Sequence, residues 1–183
     1  MVVGLVGRRI DAEDAEEPRF PPTMIPVVRE RLRELFRTMG VTTLVSAAAN
    51  GADLIGLEVA GLLGIRRVVI LLADRDRFRE GSVADRPGEW LALYDQIIDD
   101  VAAQGDLQTM GSSLDQDGFA KVNTRILDEA SRIALDRKEP VQAFVVWNEQ
   151  SRGDGDLTEE FLVEARRRGI PVLEIDTLSQ KTR

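Results

Sequence analysis

The sequence predicts an α/β fold: a three-layer sandwich with a mostly parallel central sheet and helices on both faces. Short apolar runs alternate with amphipathic stretches from one end of the chain to the other, the rhythm of β-α-β-α proteins. One run, VVILL within Arg67 to Leu72, is unbroken by polar residues, as in a strand covered on both sides. Glycines stand where helical spacing ends, at Gly40 and Gly64.

The elements follow in order. Val2 to Val6 reads as a buried strand ending at Gly7, and Asp11 to Pro22, polar and rich in Glu and Pro, as a loop. Thr23 to Met39 carries Ile25, Val28, Leu32, Leu35, Phe36 and Met39 at helical spacing. Pro26 sits where a first turn tolerates it. Thr42 to Val45 is a second strand, and Ala52 to Leu63 a helix apolar on nearly all sides. After the third strand, Ala73 to Arg86 reads as charged and irregular. Pro87 to Ala102 is helical through Trp90, Leu93, Tyr94, Ile97 and Val101. Leu107 to Met110 makes a short strand and Phe119 to Asp136 a helix. Val141 to Trp147, Asp156 to Arg168 and Pro171 to Ile175 close the series as strand, helix and strand.

The 183 residues suit one domain, taken as residues 1–176, with fraying expected over 177–183. Absence of Cys and His excludes disulfides, zinc fingers, Ser-His-Asp triads and imidazole metal sites. No metal or cofactor is expected. A net charge of −8 repels a phosphate polymer, so nucleic acid is a poor partner. No apolar stretch is long enough to cross a bilayer, and MVVGLVGRRI reads as a strand rather than a secretory leader. A cytoplasmic protein without a membrane partner is expected. The oligomeric state is open, and a homo-oligomer is compatible with the sequence.

In parallel sheets, ligands bind outside the carboxyl ends of strands. Three such exits stand out. The first, around Gly7, puts Arg8 and Arg9 directly after a strand, where guanidinium groups suit phosphate or carboxylate. A plain turn with solvated arginines is the alternative. The second, Ser46 to Asp53, is built of small residues and leads into the apolar helix. Ala47, Asn50 and Gly51 offer backbone amides to an anion, while Asp53 either takes ligand hydroxyls or caps its own helix. The third runs from Trp147 through Gly155, Asp156 and Thr158 to Glu160. Asp156 and Glu159 fit an acidic capping pair, and carboxylates here accept from ribose hydroxyls or hold a hard cation. Trp147 is either core or a stacking surface. Glu58, on the side of Leu54 and Leu62, either pairs with Arg8 or Arg9 as architecture or faces a ligand.

Taken together, these segments resemble the SLOG superfamily, the fold shared by DprA/Smf proteins and LOG "lysine decarboxylase-like" proteins. GLVGRR resembles the family's GxxGHR start, with Arg8 in the place of His. SAAANGAD resembles its SGLAxGAD block through Gly51, Ala52 and Asp53. AFVVWN resembles its late strand, and GDGDLT a degenerate GGxGT with Thr158 matching. The resemblance spans about residues 2–176 and implies a Rossmann-like sheet with a pocket for a nucleotide or nucleotide-derived sugar phosphate. Branches of the superfamily sense ADP-ribose-like signals, cleave N-glycosidic bonds of nucleoside monophosphates, or bind single-stranded DNA. The hydrolase motif PGGxGTxxE would place its Glu at position 161, which is Phe161 here.

A binding module for a nucleotide-derived small molecule is therefore the leading expectation. Arg8 and Arg9 would take phosphate, Ala47 to Gly51 would donate to an anion, and Asp53 or Asp156 to Thr158 would hold ribose. The alternative is an N-glycosidase acting on nucleoside 5′-monophosphates, with Glu58, Glu159 and Glu160 as candidate catalytic carboxylates. A second alternative is an interaction protein with a degenerate pocket.

Overall fold

The computed structural model describes residues 1–86 and 88–179. Strands β1 (Val2–Gly7), β2 (Thr43–Ser46), β3 (Arg66–Leu71), β4 (Leu107–Thr109), β5 (Val141–Trp147) and β6 (Val172–Asp176) form one sheet, ordered β4-β3-β2-β1-β5-β6. Every neighbouring pair is parallel. The apolar runs of β1, β2, β3 and β5 are largely buried, as strands covered on both faces require, while the edge strands β4 and β6 are partly exposed.

Helices α1 (Ile25–Thr38), α2 (Ala52–Leu62), α3 (Arg75–Ser82) and α4 (Trp90–Ala103) connect β1 through β4, and the chain steps outward in one direction. It then returns through α5 (Gln116–Arg137) to place β5 on the other side of β1, and α6 (Leu157–Arg167) leads on to β6. With right-handed crossovers, that reversal puts α1, α2 and α4 on one face and α5 and α6 on the other. Packing agrees: α2 lies against α1 and α4, and α5 against α6. Helix α5 must cross from the β4 edge to β5, which explains its 22 residues, about 33 Å of rise. The architecture is the expected Rossmann-like sandwich, here wholly parallel.

Several boundaries differ from expectation. Ala73 to Arg86 is not irregular: Asp74 caps α3 by accepting from the Arg77 amide at 3.0 Å. Helix α1 is preceded by a 3₁₀ turn over Pro22–Met24. Helix α4 starts at Trp90 rather than at residue 87, which lies outside the described residues. Helix α2 is less enclosed than its composition suggests, with Leu62 68% exposed. Thr177, expected to fray, is buried: its amide donates to the Trp147 carbonyl at 3.0 Å and its hydroxyl to the Arg19 carbonyl. Residues 180–183, the rest of that expected tail, lie outside the described residues.

Candidate functional site

Strand β1 is the switch point of the sheet, since connections leave in opposite directions on its two sides. At its carboxyl end opens a cavity of about 450 Å³. Its walls come from Gly7 to Ala12 after β1, from Ala47, Ala49 and Asp53 after β2, and from Phe78 and Ser82 of α3. Phe119, Val122 and Asn123 of α5 close it opposite, with Arg152, Leu157 and Thr158 from the third exit.

The first exit is shaped by two glycines. A Cβ on Gly7 would fall on the Val146 carbonyl and on Ala52. Gly51 sits at φ +92°, where a Cβ would lie 2.7 Å from the Arg8 carbonyl oxygen. The close approach lets the Ala52 amide donate to that carbonyl at 3.1 Å, so the first two exits are stitched together.

Arg8 and Arg9, adjacent in sequence, have different environments. The Arg8 guanidinium is buried and donates to both Asp156 oxygens at 2.6 and 2.7 Å, to Asn148 Oδ1 at 3.2 Å and to the Gln150 carbonyl at 2.7 Å. Arg8 also sits 5.5 Å from the Trp147 ring centroid. It is committed to protein rather than to phosphate. Burial would raise the Asp156 carboxyl, but hydrogen bonds from Arg8 and the Arg152 amide bring it down to about 2. Asp156 also caps α6, accepting from the Thr158 and Glu159 amides. These contacts use Asp156 within the fold, whereas Thr158, from the same segment expected to hold ribose, lines the cavity.

Arg9 lines the cavity with its side chain 34% exposed and pairs with Asp85. Desolvation lowers its pKa, with Asp85 opposing. Arg19, Arg86 and Arg152 line the same space. Two of these are loosely paired, Arg19 at 3.4 Å from Glu17 and Arg152 at 3.7 Å from Asp156. Arg86 donates from Nε to the Ile10 carbonyl at 2.9 Å.

At the second exit, two amides of the Ala47 to Gly51 stretch expected to donate to an anion have protein partners. The Ala49 amide donates to Asp53 Oδ2 at 3.3 Å and the Asn50 amide to the Ser82 carbonyl at 3.1 Å. Asn50 Nδ2 also reaches the Ser82 carbonyl, at 3.1 Å, and Asp85 Oδ1, at 3.4 Å, so Asn50 pins this loop to α3 and the turn after it. Asp53 is 7% exposed. Desolvation carries its carboxyl up to about 7, against the lowering influences of the Ala49 amide and Arg9. The Ser46 hydroxyl donates to the Leu5 carbonyl at 2.9 Å. Among the described residues, three buried side-chain atoms have no hydrogen-bond partner: Arg9 Nε, Asn50 Oδ1 and Asp53 Oδ1. All belong to the first two exits.

The remaining expected residues lie elsewhere. Trp147 is 6% exposed, and its indole donates to Glu174 at 3.0 Å, so it is core and not an open stacking surface. Gly155 adjoins the Gln116 side chain and does not line the cavity. Glu58 pairs with Arg29 at 2.9 Å beside a separate groove, which makes it architectural, though with neither Arg8 nor Arg9. Glu159 accepts from the Ser151 hydroxyl, and Glu160 lines a small crevice between α5 and α6. None of these three glutamates lines the cavity, whose carboxylates among the described residues are Asp11, Glu17 and Asp53. Asp11 is occupied in folding the 11–20 loop, accepting from the Arg19 and Phe20 amides at 2.9 and 3.0 Å.

Sequence reasoning missed the contributions of α3, of the 11–20 loop, of Arg152 and of the α5 residues. Asp74 followed three residues later by an amide to cap was the available signal for α3. Nothing local marked Arg19 or Phe119 as facing the β1 exit.

No protein-family profile matches the chain, and no curated protein does. Among solved structures, the fold is similar to the X-ray structure of DNA processing protein A (DprA) from Streptococcus pneumoniae. The two are 15% identical with a TM-score of 0.43, over 96% of this chain and 59% of that one. The chain thus spans less than two thirds of that protein's length. Among the described residues, no helix is long and apolar enough to cross a membrane, and no cluster of metal-ligating side chains occurs.

Proposed function

We propose that the protein is a binding module for a phosphorylated, nucleotide-derived ligand, ADP-ribose-like or a nucleoside phosphate, held at the β1 exit. The carrying observation is the cavity at the switch point, lined by Arg9, Arg19, Arg86 and Arg152 in a chain whose net charge is −8. A concentration of guanidinium groups against that background favours an anionic ligand. The apolar wall of Phe78, Phe119, Val122 and Leu157 suits the uncharged part of such a molecule. GLVGRR and SAAANGAD, the segments that carry the resemblance to the SLOG superfamily, both contribute to the wall.

In this reading the phosphate partner is Arg9 rather than Arg8, with Arg152 and Arg19 beside it. Calorimetric titration of the protein with AMP, ADP and ADP-ribose tests it. Saturable binding is expected for at least one, weakened tenfold or more by Arg9→Ala. Absence of heat with all three, on folded protein, rejects the reading. Binding that survives Arg9→Ala unchanged places the ligand elsewhere and favours an interaction protein with a degenerate pocket.

A further inference from the structure

We propose that Asp53 sets the sugar specificity of this cavity, accepting a hydrogen bond from a ribose hydroxyl and so selecting ribosyl over deoxyribosyl phosphates. The proposal rests on the binding role given above and adds the chemical feature by which the ligand is recognised.

Asp53 lines the cavity from the first turn of α2 and is 7% exposed. Its Oδ2 is fixed by the Ala49 amide at 3.3 Å, which sets the plane of the carboxyl group, while Oδ1 has no partner. A buried carboxylate oxygen left unpaired is costly. The neighbouring donors are committed: the Ser46 hydroxyl to Leu5, the Asn50 amide to Ser82 and the Ala52 amide to Arg8. One neighbouring donor is not committed. Arg9 Nε is buried, belongs to a residue lining the same cavity, and also lacks a partner.

An unpaired acceptor and an unpaired donor on adjoining walls narrow the chemistry. Where Asp53 is ionised, above about pH 7, a phosphate oxygen satisfies Arg9 Nε and is repelled by Asp53. An ammonium satisfies Asp53 and is repelled by Arg9. A hydroxyl donates and accepts through one small group, and so suits both. A ribose carries such hydroxyls next to its phosphate, within reach of the arginines already described.

The test is calorimetric titration of the full chain at pH 8, where Asp53 is ionised, with AMP, ADP and ADP-ribose, each beside its 2′-deoxy and 3′-deoxy counterpart. At least one deoxy form is expected to bind tenfold or more weakly than the ribose form, the size of a lost hydrogen bond to a charged group. Asp53→Ala is expected to bring the two within about twofold of each other, chiefly by weakening the ribose form. Equal affinities for ribose and deoxy forms in the native protein overturn the inference and leave the binding role standing. A preference that persists in Asp53→Ala also overturns it. Absence of binding by every compound overturns both readings. Should Asp53→Ala not fold, the comparison in the native protein decides alone.

Discussion

At Asp53, burial raises the folded-state carboxyl to about 7, whereas an unfolded chain holds it near 3.8. The folded protein therefore keeps a proton that the unfolded chain releases across that interval. Linkage then makes stability fall as pH rises from about 4 to about 7, by up to roughly 4 kcal/mol, with no further loss above. The sequence has no histidine, so little else titrates between pH 5 and 7. Urea unfolding at several pH values should show a lower unfolding free energy at pH 7 than at pH 5, and Asp53→Asn should flatten that slope. A native profile that is level or rising would contradict the burial argument. Sequence placed Asp53 correctly at a strand exit. It could not separate cap from ligand group, because that depends on whether the Ala49 amide or some other donor faces each oxygen.

Among the elements, α3 is the one the sequence concealed. Phe78 is the one apolar side chain in Arg75–Ser82, so no apolar periodicity announces a helix. Tertiary contacts supply what propensity lacks. Phe78 stacks on Tyr94 with centroids 6.3 Å apart, the Tyr94 hydroxyl donates to the Arg75 carbonyl at 3.0 Å, and Arg79 pairs with Asp95 at 2.9 Å. Strands were legible for the opposite reason: a parallel strand enclosed on both faces is predominantly apolar, and Val141–Trp147, with Gln142 its one polar residue, was delimited to the residue. Because α3 is short, its cap carries weight. Asp74→Ala should cost about 1 kcal/mol, concentrated in this helix, and hydrogen exchange should quicken at the Phe78 and Arg79 amides with little change in β1 or β5. Unchanged exchange there would show that packing against α4 holds α3 without its cap.

On the scale of the whole molecule, the rhythm of the sequence determined the layers but not how the loops divide their labour. GLVGRR offers two equivalent arginines in one dimension. Folding brings Asn148 and Asp156 to one of them and Asp85 to the other, and partners so distant in the chain leave no local mark. Arg8 and Asp156 have side chains 3% and 1% exposed, so each depends on the other for compensation. Arg8→Ala should destabilise the protein by about 3–5 kcal/mol, since it strands a buried carboxylate. Arg8→Lys should recover little of that, for an ammonium cannot span both oxygens as the guanidinium does. Denaturant midpoints measure both, and a lysine variant as stable as the native protein would refute the two-pronged contact.

The same pair carries a consequence for how the molecule comes into being. Its members stand 148 positions apart, and the central strand they secure is flanked on one side by a strand made far later in synthesis. A nascent chain carries the guanidinium long before its carboxylate exists, so the middle of the sheet stays incomplete until most of the polypeptide has been made. Assembly dominated by such remote pairings is slow and comes late. Chains interrupted before the sixth helix should accordingly be recognised by the cell as unfinished rather than persist as smaller working versions.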